Sequence, residues 1–336
     1  MKKVSIIIVN WNGLSHLKKC LPTLKKVTYK NLEIILVDNA SKDDSVAYVT
    51  KNFPNIKIIK CKKNLGFAGG NNAGLPAVTG DYVLLLNNDT VVTKDFVTEL
   101  VAAVEEDDEI GIVQSKILSM DYPNKLDSVG AFLTYTGFLY HYGYFQIDKR
   151  KYDKTKYLYT AKGACMLVRA DLITRLGLFD DDFFAYFEET DLCNRVWMAG
   201  YTIVYAPKSV IYHKVGGTSN GMENAFIQFH SFKNRINSYI KNLEVKNLAL
   251  ILPIHIILCE VAAISFIFKS RIDLFMAINK ALLWNIANLE KTLAKRKKIQ
   301  KMRKVSDSEF FPKVLRNPNL NYYYSLFAKS LIGYKE

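Results

Sequence analysis

The chain has 336 residues, 46 Lys and Arg against 32 Asp and Glu, a formal charge of +14 and 49% hydrophobic residues. That apolar content excludes a disordered chain, and the length suits about two domains. The charge is uneven, because residues 1–214 hold 27 basic and 24 acidic residues while 215–336 hold 19 and 8, a net of +3 against +11.

The apolar run Val4–Val9 reads as a strand. It is too short for a signal peptide, contains Ser5 and ends in Asn10-Trp11-Asn12-Gly13 without a cleavage site, so a cytosolic body is expected. Further strands are predicted at Glu33–Val37, Ile56–Ile59, Tyr82–Leu86 and Ile110–Val113. Helices are predicted between them at Leu14–Leu24, Asp43–Asn52, Ala68–Val78 and Asp95–Glu106. Strict alternation implies right-handed crossovers and a mostly parallel sheet covered on both faces. Val129–Ile147 is aromatic and Gly-punctuated, which suggests antiparallel strands or a mobile flap. Ala161–Val168 reads as a strand, Asp171–Leu176 and Glu188–Met198 as helices, and Thr202–Tyr205 as a strand ended by Pro207. After Gly216-Gly217 the character changes, and 222–304 reads as almost wholly helical. Five scattered cysteines without a CxxC pair point to a reducing compartment and against structural zinc, with Cys165 and Cys193 read as packed core thiols.

In parallel sheets ligands bind beyond the carboxyl ends of the strands. The segments there are polar: Asn10-Trp11-Asn12, Asp38-Asn39-Ala40-Ser41, the 64–71 loop and Asn87-Asn88-Asp89. Turn chemistry explains any one of them, whereas four in register form a binding rim. Asn87 and Asp89 place an amide and a carboxylate where a hard divalent cation could sit. Glu188, Glu189 and Asp191 crowd three carboxylates into four residues at a helix start. Their mutual repulsion should raise at least one pKa toward a value useful for proton abstraction. The bland alternative is an acidic helix start with Arg195 pairing back to Asp191.

The segments Val4–Gly13, Leu36–Ser41, Asn64–Ala73 and Leu85–Thr90, with the acidic cluster, resemble the inverting family 2 glycosyltransferases of GT-A fold. The likeness covers about residues 3–218 and is strongest to rhamnosyltransferase-like enzymes of cell-surface polysaccharide assembly. It implies an α/β fold: a Rossmann-like GT-A catalytic domain with a mostly parallel central sheet at 1–218, then a helical, membrane-associating region at 219–336. It also implies a nucleotide-sugar donor held by Asn10, Trp11, Asn12, Asp38, Asn64, Gly66, Asn71 and Asn88, with Gly66, Gly69 and Gly70 permitting close backbone approach. A divalent cation, Mg²⁺ or Mn²⁺, would be held by Asp89, Asn87 and His213, Asn87 standing where the family's metal motif has an acid. Glu189 matches the general base, with Glu188 beside it and Asp191 as the fallback. Gly163 and Ala164 match the acceptor side.

Leu248–Phe268 is a 21-residue apolar stretch containing Pro253, His255, Glu260 and Ser265. It is long enough, at roughly 31 Å, to cross a bilayer, but its His and Glu make a lone span costly. A hairpin with amphipathic Ile272–Leu289 or an interfacial helix is the alternative. Lys291–Lys304 then places eight basic residues in fourteen with no acid. Apolar face plus polybasic run suits the anionic cytoplasmic face of a bacterial inner membrane, bound peripherally or monotopically, where a lipid-linked or polysaccharide acceptor is met. The competing readings are packing on the body and a homodimer through these helices. A nucleic-acid partner is not expected, since the basic residues lie beside apolar sequence. A sugar nucleotidyltransferase would carry Arg and Lys after the first strand, and Asn10-Trp11-Asn12-Gly13 carries none.

Overall fold

The computed structural model describes residues 1–214 and 224–328. β-Branched runs buried on both faces build the first half: β1 (Val4–Asn10), α1 (Leu14–Leu24), β2 (Leu32–Asp38), α2 (Ser45–Asn52), β3 (Lys57–Lys60), α3 (Gly66–Gly74) and β4 (Tyr82–Leu86). Next come β5 (Thr90–Val92), α4 (Phe96–Val104), β6 (Ile110–Ser119), β7 (Leu126–Ser128), β8 (Ala131–Phe132), β9 (Tyr140–His141) and β10 (Lys156–Tyr157). The body closes with β11 (Cys165–Arg169), α5 (Ala170–Leu176), α6 (Glu188–Met198) and β12 (Thr202–His213).

The sheet runs β10-β12-β6-β11-β4-β1-β2-β3, with β5 on β12 and β7 on β6. From β3 to β4 every pairing is parallel. Beyond β4 the sheet is mixed, because β11 enters antiparallel to both β4 and β6. No helical crossover joins β6 to β11, so nothing enforces a parallel return. β1 lies between β2 and β4, so crossovers leave it in opposite directions and open a crevice at the strands' carboxyl ends.

Three local expectations change. The strand from Thr202 does not stop at Pro207 but runs on to His213. The register against β6 shifts between Ala206 and Val210, and a proline in that bulge forfeits no ladder bond. The strand expected from Ala161 begins at Cys165, leaving Lys162 and Gly163 in the turn before it. α3 starts at Gly66 and stops at Gly74 rather than spanning Ala68–Val78. Gly66 has φ +73°, and a Cβ there would meet Phe184 O at 2.1 Å. The glycines of this loop therefore serve internal packing, Gly70 against Val9 and Gly66 against Phe184, rather than a ligand's approach.

The C-terminal region comprises α7 (Ala225–Asn242), α8 (Val245–Phe268), α9 (Ile272–Ala287), α10 (Leu289–Gln300), α11 (Asp307–Val314) and α12 (Leu320–Ala328). Gly216-Gly217 and the expected 218/219 boundary lie outside the described residues. This region packs on the body: Leu243, Ile251, Phe310 and Val314 join the core under the sheet, and Phe310 stacks on Trp197 at 5.5 Å.

Gly66→Ala should cost at least about 1–3 kcal/mol, because strain at positive φ adds to the backbone clash with Phe184. Thermal unfolding measures it, and an unchanged midpoint would contradict the packing described.

Candidate functional site

The carboxyl ends of β1, β2 and β4 meet at one rim. Asn10 stands opposite Asp38 in the parallel register. Asn88 Nδ2 donates to Asn10 Oδ1 at 2.8 Å, and Asn10 Nδ2 donates to Ser41 Oγ at 3.2 Å. Asn12, at φ +50°, is locked by Ser41 and by the Lys42 N–H, which donates to its Oδ1 at 2.7 Å. Trp11 is left exposed above this network. Asn39 ties in the next loop, donating to Asn64 Oδ1 and Gly66 O and accepting from Leu65 N. Asn71 does not reach the rim network, because its amide nitrogen donates to Phe67 O within α3.

A second corner joins β4 to β12. His213 Nε2 lies 3.3 Å from Asp89 Oδ1 and 3.4 Å from Asn87 Nδ2. His213 Nδ1 lies 2.8 Å from Asp127 Oδ2, and Lys162 Nζ donates to both Asp127 oxygens at 2.7 Å. Burial would lower the His213 pKa, but Asp127 and Asp89 raise it above its ordinary value. Burial would likewise raise Asp127, which Lys162 and His213 hold well below the carboxylate range. Asp89, His213 and the Asn87 amide make an oxygen and nitrogen corner of the kind a divalent cation accepts, with Asp127 orienting the imidazole from behind. Among the described residues no group of three His, Cys, Asp or Glu side chains gathers as a metal site, consistent with Asn87 replacing an acid.

The third wall is the start of α6. Tyr186 and Phe187 both hold φ +71°, a conformation costly for bulky residues. Asn234 of α7 fixes it by donating to Ala185 O and Tyr186 O. Glu188 and Glu189 follow. Burial, then the Glu189 charge, pushes the Glu188 pKa well up. Burial also raises Glu189, countered by its own N–H and by Lys162. Burial thus raises both carboxyls, Glu188 the more strongly because the Glu189 charge adds to it, while Lys162 opposes the rise at Glu189. A side chain at Gly163 would press on Phe67 at 3.1 Å and come within 3.9 Å of Glu189 Cβ, so that turn faces the pair. Ala164 O accepts from Asn87 N at 3.0 Å, linking this wall to the metal corner.

Asp191 points elsewhere. It accepts from Arg195 Nε at 3.2 Å and Asn242 Nδ2 at 2.9 Å, with Lys241 Nζ 3.1 Å away. The pairing with Arg195 leaves this acid structural and unable to serve as fallback base. Among the described residues, buried carboxylate oxygens of Asp38, Glu188 and Glu189 lack a hydrogen-bond partner, and Asp89 Oδ1 has the His213 contact at 3.3 Å. Such atoms are costly unless a ligand completes them.

Residues 5–175 match the family model Glycosyl transferase family 2. The chain belongs to that family. It is a glycosyltransferase, similar to the N-acetylglucosaminyl-diphospho-decaprenol L-rhamnosyltransferase of Mycobacterium tuberculosis (25% identity over 240 residues, 63% of this chain and 76% of the relative). It also matches an uncharacterized Sinorhizobium fredii protein at 27% identity over 224 residues, 62% of this chain but only 24% of that protein's length. In fold it is similar to a Pyrobaculum calidifontis mannosyltransferase in complex with GDP-Man and Mn²⁺ (TM-score 0.55, 17% identity, 90% and 84% covered).

Sequence reasoning missed Asp127, Lys162 and the buried polar stripe of α7. Lys233, Asn234, Asn237, Lys241 and Asn242 are all buried at helical spacing, a pattern visible in the sequence. The transferase uses that stripe, with α10, to clamp the acidic loop before α6. Lys241 and Lys295 pair with Asp180, Lys291 and Lys295 with Asp182, and Lys233 Nζ donates to Asp182 O at 2.6 Å. Much of the basic run is thus spent internally, with Arg296 on Ile240 O and Leu243 O, and Arg303 on Asp307. Cys165 and Cys193 are buried thiols pushed up to about 12 by burial.

Lys162 favours the ionised form of Glu189, so Lys162→Met should raise that pKa further. If Glu189 is the base, the acid limb of kcat/KM for sugar transfer will move to higher pH. A pH–rate profile checks this, and an unmoved limb removes Lys162 from the role.

Proposed function

We propose that the protein is an inverting glycosyltransferase that moves a rhamnose or similar sugar from a dTDP- or UDP-sugar to a lipid-linked or growing cell-surface glycan. The observation that carries this is a set of buried carboxylate oxygens at the strand ends and the start of α6, Asp38 Oδ1, Glu188 Oε2 and Glu189 Oε2, that no protein group satisfies, with Asp89 meeting the His213 imidazole at 3.3 Å. In this reading Asp38 and the Asn10–Asn88 pair hold the nucleoside, with Trp11, Asn12 and Asn64 alongside. Asp89, His213 and Asn87 would hold a divalent cation, Mg²⁺ or Mn²⁺, which when bound offsets the charge of the departing diphosphate. Glu189 takes the proton of the acceptor hydroxyl as that oxygen bonds to the anomeric carbon. The bond from that carbon to the diphosphate breaks in the same in-line step, which inverts the centre. Glu188 lies beside the base, its pKa pushed up by burial and by the Glu189 charge. The mycobacterial relative's name supports a lipid-diphosphate acceptor, and the archaeal neighbour's Mn²⁺ complex supports the cation.

Membrane association belongs to the same proposal. α8 is long and apolar, with a mean hydropathy of 2.4 in its best window, of which 28% is buried. His255 is fully buried against the body, where Thr136 O lies 3.0 Å from its Nδ1, so this helix is docked on one side. Its other side leaves Ile254, Ile257, Val261, Ile264 and Phe268 exposed. On α9 and α10 the exposed stripe of Ile286, Leu289 and Leu293 continues at helical spacing into exposed Lys297, Lys301 and Lys304. Apolar wedge and basic rim on one surface suit peripheral or monotopic attachment to an anionic cytoplasmic leaflet.

Glu189→Gln should lower transfer by at least about a hundredfold, while thermal stabilisation by dTDP or UDP with Mn²⁺ stays near wild type. No stabilisation of the wild type by either nucleotide, against an EDTA control, would sink the donor assignment. Separately, vesicles containing anionic lipid should float the full chain. Ile257→Asp with Val261→Asp should abolish flotation, and flotation surviving these changes would contradict the wedge.

A further inference from the structure

Arg235 is the unusual charge of this molecule. It lies on α7, between the polar stripe that clamps the acidic loop and the cluster of Phe138, Phe232 and Cys259 that seats α8. Its guanidinium carbon lies over the rings of Phe138, Phe187 and Phe232 at 4.8, 5.2 and 5.7 Å. Among the described residues no carboxylate pairs with it, and its buried Nε has no hydrogen-bond partner. Other cations of α7 and α10 have carboxylate partners: Lys241 and Lys295 with Asp180, and Lys291 with Asp182. Ring faces offset part of the cost of an enclosed cation but supply no acceptor for its N–H groups.

Its position gives that vacant valence a use. Phe187 is the N-cap of α6, immediately before Glu188 and Glu189, so Arg235 packs one residue away from the carboxylate pair. On the other side, Phe138 packs on His255 of α8 at 4.7 Å between ring centroids. α8 turns its exposed apolar side outward from there, so Arg235 is separated from that surface by about one helix diameter, ~10 Å. His141 of β9 forms a nearby wall, solvent-accessible yet enclosed enough that burial, then the Lys162 and Arg235 charges, hold its imidazole down at about 4. A cation with open donors thus sits between a general base and an apolar surface.

We propose that Arg235 binds the phosphate or diphosphate of a lipid-linked acceptor, seating the sugar hydroxyl at Glu189 and letting the lipid tail leave along α8. This rests on the lipid-linked acceptor reading, and it adds the group that recognises the anionic linkage. A planar fork of donors suits a diphosphate oxygen pair, which a lysine ammonium matches less well.

The test is binding of farnesyl diphosphate, with farnesol and inorganic pyrophosphate as controls, to the full chain in detergent and EDTA. Chelation keeps the Asp89–His213 corner from capturing the diphosphate through a metal. Wild type should bind farnesyl diphosphate more tightly than either control. Arg235→Gln should weaken it by about 10–100-fold, Arg235→Lys by less, with farnesol binding and the unfolding midpoint of Arg235→Lys unchanged. Equal affinity of wild type and Arg235→Gln for farnesyl diphosphate overturns the site, as does an equal loss for farnesol, which would mark Arg235 as structural. If the diphosphate binds through Arg235 but no sugar is transferred to any lipid diphosphate acceptor, the anion site stands and the acceptor reading fails. The two claims are therefore separable.

Discussion

The buried ammonium of Lys241 holds this structure in its working form. It has no exposed surface, and it bridges Asp180, on the loop before α6, to Asp191, within α6. Burial alone would raise both acids, and Lys241, together with Lys295 at Asp180 and Arg195 at Asp191, holds them below their ordinary values. Breaking such a buried pair by removing one partner typically costs 3–5 kcal/mol, because the remaining charge is left uncompensated. From this bridge the rest follows. The loop is fixed at its acidic end by lysines and at its far end by Asn234, which forces Tyr186 and Phe187 into the left-handed region and so aims Glu188 and Glu189. Strain at the site is borne by polar bonds from a helix that contributes no carboxylate to the chemistry.

This explains why the C-terminal region cannot be an appendage. A membrane anchor alone would need only an apolar face and exposed cations. Here α7 and α10 also supply the donors that shape the catalytic loop, and α11 completes the core through Phe310 and Val314. The excess charge of +11 after residue 214 therefore divides between two tasks: Lys233, Lys241, Lys291 and Lys295 face the loop's aspartates, while Lys297, Lys298, Lys301 and Lys304 remain exposed.

The first half of the fold was legible because its information is local. β1, α1 and β4 emerge with almost the expected bounds, since a β-branched run followed by an amphipathic stretch permits little else. The rim residues Asn10, Asp38, Asn88 and Asp89 were legible for the same reason, lying at or just past the ends of β1, β2 and β4. What stayed hidden depends on contacts across the chain. Asp127 reaches His213 only because β7 folds back on β6, and β11 can enter antiparallel only once that excursion exists. The glycines at 66–70 looked like a ligand cradle, but Phe184 and Val9 occupy the space where their side chains would be. Asp191 looked like a spare base because Lys241 and Asn242, about 50 residues downstream, could not be placed against it from spacing alone.

One consequence concerns how the two ends of the reaction are coupled. The donor rim is built from strand ends whose hydrogen bonds close among Asn10, Asn88 and Ser41, within the first 90 residues. The wall proposed for the acceptor is the start of α6, whose geometry depends on α7 and α10, and α10 carries the exposed Leu289 and Leu293. Any force that shifts α10 against the body acts on Asp180 and Asp182 through Lys291 and Lys295, and so on Glu189, while the hydrogen bonds among Asn10, Asn88 and Ser41 lie outside that chain of contacts. In the proposed membrane-bound state, lipid contact would thereby be connected to Glu189 through a short chain of ion pairs. The connection is asymmetric by construction: the rim network closes among strand ends and their loops, whereas Glu189 opens a helix whose preceding loop is held by α7 and α10.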